Sequence, residues 1–67
     1  MAVARITEVT ASSPDGFEAA VREAFARASK TVRNITGLEV VRQTAKVRDD
    51  RIAEYRVQLK ITFVLED

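Results

Sequence analysis

The sequence predicts an α+β fold in the order β-α-β-β, and two patterns carry that prediction. From Ile52 to Leu65 apolar and polar residues alternate, the period-2 signature of a strand with one buried face. From Phe17 to Val32 apolar residues recur at helical spacing. Length sets the context. The chain has 67 residues, one domain's worth (1–67), with no cysteine and no histidine. Ordering it costs on the order of 100 kcal/mol of conformational entropy, at about 1.5 kcal/mol per residue. A disulfide is impossible, and an ordinary zinc site lacks its ligands. A domain of this size buries only about 60% of its unfolded surface, so self-association is the remaining common route to a stable core.

Val3–Thr10 is rich in β-branched residues (Val3, Ile6, Thr7, Val9, Thr10) and reads as the first strand, although Arg5 and Glu8 break its alternation. Ala11 to Gly16 reads as a helix start. Ser13 suits the N-cap, Pro14 the first helical position and Asp15 the positive end of the dipole. The helix is expected to run to about Arg33. Phe17, Ala20, Val21, Ala24, Phe25, Ala28 and Val32 form its apolar stripe, and Glu18–Arg22 and Glu23–Arg27 are i,i+4 pairs in the favourable order. Lys30 and Arg33 suit its C-terminal end, and Asn34 is the expected left-handed cap in the segment Asn34 to Gly37.

Leu38 to Arg48 is the second strand, Asp49-Asp50 the turn, and Ile52 to Leu65 the third strand. There Ala53, Tyr55, Val57, Leu59, Ile61, Phe63 and Leu65 face one way and Glu54, Arg56, Gln58, Lys60 and Thr62 the other. The register of this hairpin stays open. A two-residue loop pairs Arg48 with Arg51 and puts Lys46 and Arg42 on the apolar face. A three-residue loop, Asp49 to Arg51, groups Val41, Ala45 and Val47 with that face and packs better, and a bulge in the second strand would reconcile the two. A helix of about 19 residues spans about 28 Å and a strand of about 14 residues about 46 Å, so one helix cannot cover such a sheet. The apolar remainder and two open sheet edges call for partners, and a closed oligomer avoids open-ended growth.

Charge and inventory exclude several classes. The formal net charge is +1, from 11 basic and 10 acidic residues, too balanced for a general nucleic-acid binder. No apolar run approaches the roughly 20 residues of a membrane span. Met1 to Thr10 lacks the apolar stretch of a signal peptide, which makes the cytoplasm the expected location. Without histidine or cysteine the usual bases and nucleophiles are missing, and two glycines cannot build a phosphate-cradling loop, so no enzyme is expected. Two sets of charges stay open. Arg56 and Lys60, with Arg42, Lys46 and Arg48, form a basic patch. It either grips the phosphate of a cofactor, or is a solvated face, or makes inter-subunit pairs with Glu39, Glu54 and Glu66. Asp49 and Asp50 are either hard-cation ligands or ordinary turn residues. Tyr55, Phe17, Phe25 and Phe63 read as core or interface.

Ser12-Ser13-Pro14-Asp15-Gly16 before an Ala-rich helix, Thr31-Val32-Arg33, Glu39-Val40, Tyr55 to Phe63 and Leu65-Glu66-Asp67 together resemble the dodecins over nearly the whole chain. The resemblance implies a three-stranded antiparallel sheet partly wrapping one helix. It also implies assembly into a hollow homo-dodecamer that stores or sequesters a small ligand without turnover. Flavin (riboflavin, FMN or FAD) is the nominal ligand, stacked in pairs between aromatic rings. Gly37, Leu38, Arg56 and Lys60 are the implied ligand-binding residues. This chain departs from the flavin pattern at two of them. Gly37 stands where flavin binders carry a tryptophan before the stretch Leu38-Glu39-Val40, and Arg56 stands where they carry a glutamine. Aromatic stacking is worth about 1–3 kcal/mol per face, so the glycine removes a large part of flavin affinity or opens the pocket to another ligand. A phosphate-bearing cofactor such as coenzyme A, gripped by Arg56, a cation such as calcium, or a purely structural assembly are the alternatives. Gly37 itself is either that open pocket or a plain turn glycine.

Overall fold

A computed structural model describes residues 2–65. The elements are β1 (Ala4–Ser13), α1 (Phe17–Ala28), β2 (Ile35–Arg48) and β3 (Arg51–Val64). The expected order is borne out, and the three strands form one antiparallel sheet in the order β1-β3-β2. The strand with the most regular alternation is therefore the central one. It is flanked on both sides from Tyr55 to Phe63, and one face of it is partly covered by the helix.

β1 runs three residues beyond the expected Thr10, because Ala11, Ser12 and Ser13 pair with Val57, Arg56 and Tyr55. Ser13 is thus not the helix N-cap. It is a buried strand residue whose Oγ accepts a hydrogen bond from the Asp15 amide at 3.1 Å, closing a tight turn after the strand. The helix begins at Phe17, three residues later than Pro14. Gly16 is its N-cap, at φ 130°, a conformation that only glycine adopts without strain. The helix also stops early. Ser29 and Thr31 turn their hydroxyls back to the carbonyls of Ala26 and Ala28, an alternative to helical pairing. Val32, beyond the helix, donates its amide to the Ala28 carbonyl at 2.9 Å. Asn34 is left-handed as expected (φ 63°), yet it does not cap the helix. Its carbonyl accepts the Val64 amide at 3.0 Å and so launches β2.

The hairpin uses the two-residue loop. Asp49 and Asp50 have φ of 54° and 61°, the pattern of a type I′ turn, and Arg48 faces Arg51. The three-residue alternative is overturned, but the apolar alignment that favoured it is kept by bulges. Ala53 is the extra residue on β3 between the pairs Lys46–Glu54 and Val47–Ile52, while Thr36 and Val41 are extra on β2. Ala45 thereby shares a face with Tyr55, and Leu38 and Val40 share one with Ile61 and Leu59.

The core is small: Ala20, Ala24 and Ala28 from α1 against Val57, Leu59 and Ile61 of β3. Alanines on the helix let it lie close to the sheet, and Phe17 meets Tyr55 edge-on with ring centroids 5.0 Å apart. The helix packs on β1 and β3 and leaves β2 nearly without cover. The result is an elongated body of 51 × 20 × 13 Å. Its radius of gyration is 13.8 Å, against about 11 Å for a compact chain of this length. Its accessible surface is 5239 Å², about 1,000 Å² more than the size scaling of folded monomers allows.

Candidate functional site

The sheet has two faces of different chemistry. The face under the helix carries Val9, Ala11 and Ser13 of β1 with Tyr55, Val57, Leu59 and Ile61 of β3. The opposite, open face is polar and is built from cross-strand rows. Ile6, Thr62 and Gly37 form one row, Glu8, Lys60 and Glu39 the next, then Thr10, Gln58 and Arg42, then Ser12, Arg56 and Thr44. Direct cross-strand neighbours have Cβ atoms about 5 Å apart, so each row is a contact set.

Three of the four sequence-predicted site residues, Gly37, Lys60 and Arg56, lie on this open face. Leu38, paired with Ile61, lies on the other face. Lys60 is one row from Gly37, about 7 Å along the strand, whereas Arg56 is six residues from Thr62, Gly37's partner, and so about 20 Å away. One subunit therefore brings Gly37 and Lys60 together but neither Arg56 nor Leu38 with them. The Arg56 guanidinium is also engaged locally. Nη2 donates to Glu54 Oε1 at 2.9 Å and Nε to the Ser12 hydroxyl at 3.4 Å. Glu54 is one of the acidic partners expected for the basic patch, but this pair forms within one chain and not between subunits. Glu66, the third of those partners, lies outside the described residues.

Gly37 is not a turn glycine. It sits within β2 at a φ that any residue adopts, and a Cβ built there would meet only the Thr62 Cβ, at an ordinary 4.0 Å. The fold of the subunit has no need of a glycine here, and a glycine inside a strand costs about 0.5–1 kcal/mol relative to alanine. The neighbours that sequence reasoning did not place in the site are Glu8 and Ile6. Glu8 Oε2 accepts a hydrogen bond from Gln58 Nε2 at 3.0 Å, and Ile6 is exposed in Gly37's own row. Both come from β1, and no local signal in the chain gives the register of β1 against a strand some 50 residues away.

A second concave region is a groove of about 570 Å³ between α1 and the free edge of β1, lined by Thr7, Thr10, Glu23, Arg27 and Val32 among others. Glu18 and Arg22 form the expected pair on the outer helix face at 2.8 Å, while Glu23 and Arg27, which face this groove, are not within ion-pair distance of each other. Among the described residues no three of His, Cys, Asp and Glu come together as metal ligands, and no helix is long and apolar enough to cross a membrane.

A single helix on a three-stranded antiparallel sheet, with a long bare hairpin arm and a polar outer face, defines a class of small β-α-β-β proteins. The chain belongs to the dodecin family, whose profile matches residues 3–66. It is 37% identical over 60 residues to the dodecin of Thermus thermophilus, covering 90% of this chain and 87% of that one. The dodecin structure from Streptomyces coelicolor matches with a TM-score of 0.94 at 41% identity, covering 98% of this chain and 94% of that chain. A Mycobacterium tuberculosis protein described as a calcium-chelating antigen, calcium dodecin, with a novel calcium-binding site, matches with a TM-score of 0.83 at 28% identity, over 96% of this chain and 91% of that chain.

Proposed function

We propose that this chain is a non-enzymatic, cytoplasmic small-ligand binding and storage subunit of a hollow homo-dodecamer, with flavin as its nominal ligand class. The observation that carries this is the bare β2 arm. Apolar side chains at Leu38, Val40, Val41 and Val47 are exposed, and the chain presents about 1,000 Å² more surface than a compact monomer. That excess is the scale of a specific protein–protein interface. Copies of the same chain are the partner that family membership supports. The ligand site is then shared: Gly37 and Lys60 from one subunit are completed by Arg56 and Leu38 of others, which accounts for their separation within a single chain.

A second reading keeps the shell and changes the cargo. Gly37 supplies no ring for stacking, and Lys60, Arg42 and Arg56 lie on one face with it, a set suited to a phosphate-bearing cofactor such as coenzyme A. Native mass spectrometry of freshly purified protein, followed by FMN and coenzyme A titration of wild type and Gly37→Trp, separates these. Twelve subunits with FMN bound at least about tenfold more tightly by Gly37→Trp place flavin stacking at this row. Coenzyme A bound by wild type and lost in Gly37→Trp selects the second reading. A monomer that binds neither ligand sinks both.

A further inference from the structure

The tip of the β2–β3 hairpin carries a pattern that the ligand site does not use. Its residues read Val47-Arg48-Asp49-Asp50-Arg51-Ile52, so that charge and hydrophobicity are symmetric about the turn. The register turns this into geometry: Val47 faces Ile52, Arg48 faces Arg51, and the two aspartates form the loop. Like charges directly opposite one another on a strand pair are unfavourable. The turn is unfavourable in its own way. Both aspartates are left-handed (φ 54° and 61°), where a type I′ turn is best served by asparagine and glycine. Among the described residues no ion pair within 4.0 Å relieves any of these four charges. Val47 and Ile52 behind them are exposed by 66% and 53%, and a shallow hollow lined by Arg48, Asp49, Arg51, Ile52 and Ala53 lies alongside.

We infer that this tip is a self-complementary contact surface whose partner is the same tip on a second copy of the chain. Across a two-fold axis the arginines of one copy meet the aspartates of the other, and the Val47–Ile52 pairs close behind them. An isologous contact of this kind needs one patch that carries both signs of charge, and this tip does. The opposed arginines gain counter-charges, and the carboxylates have a reason to stand where Asn-Gly would turn more easily. The inference rests on the self-association proposed above and adds where one contact lies.

The test measures the concentration at which the assembly dissociates, by light scattering on dilution, for wild type, Arg48→Glu/Arg51→Glu, Asp49→Lys/Asp50→Lys, and an equal mixture of the two reversals. Each reversal alone is expected to raise that concentration at least about tenfold, and the mixture to restore it to within about twofold of wild type. Asp49→Asn/Asp50→Asn keeps a sound turn whatever the reversals do to folding. It should also dissociate more readily, and it should lose the weakening that wild type shows between about 50 mM and about 500 mM salt. Asparagine variants that assemble like wild type overturn the inference, as does a mixture no better than its components. A wild type that never assembles defeats the shell itself, a result distinct from either.

Discussion

The half of the molecule made by β1, α1 and β3 and the arm made by β2 are written in similar residues and fare differently. Val57 and Leu59 on β3 are fully buried, whereas Val40, paired with Leu59 on the same face, is 43% exposed. Hydrophobicity does not decide which is core. The helix does: twelve residues span about 18 Å and lie mainly over β1 and β3. The covered half thus holds the core of the chain, and the arm carries apolar surface that the chain itself leaves open.

Leu59→Ala should strike hardest, destabilising the chain by about 2–5 kcal/mol, because a fully buried side chain is lost between helix and sheet. Urea unfolding at fixed protein concentration measures this, and a loss below about 1 kcal/mol would dissolve the distinction between the halves. Val40→Ala, one strand away, should cost the dissociated subunit less than about 1 kcal/mol, since its side chain is already half wet. In concentrated solution the same substitution should lower the melting temperature further, because the proposed assembly would lose buried contacts there. Equal losses at both concentrations would mean that no partner covers β2. Glu18→Ala removes a helix-surface pair 2.8 Å long between two largely exposed side chains. It should cost no more than about 0.5 kcal/mol by the same unfolding measurement.

Where periodicity is strong and the chain is covered, the sequence was legible: the helical stripe through Ala20, Ala24 and Ala28 and the alternation from Tyr55 to Phe63 fall where they were expected. The misreadings cluster at ends. Ser13-Pro14-Asp15 has the composition of a helix cap, but strand pairing with Tyr55 claimed Ser13 first, and the reversal then needed Gly16. Ser29 and Thr31 ended a helix whose stripe runs on to Val32, through hydroxyl bonds that no periodicity reveals. In the hairpin a simple count of faces failed because bulges at Thr36, Val41 and Ala53 reset the alternation, and a bulge has no composition of its own. The candidate site was half legible for the same reason. Its residue types were visible, but the rows that join Gly37 to Ile6 and Lys60 to Glu8 are products of register.

The bulges on β2 also bear on a hazard of the architecture. β2 is one of the two edge strands, long and rich in valine, the sort of edge on which further strands can stack without limit to give amyloid-like fibrils. Thr36 and Val41 break its ladder to β3 into the short runs 37–40 and 42–46, and such bulges bend a strand, its free edge with it. A straight intruding strand meets a bent edge with no long matching run of donors and acceptors, so the arm can expose valines while offering a poor template for aggregation.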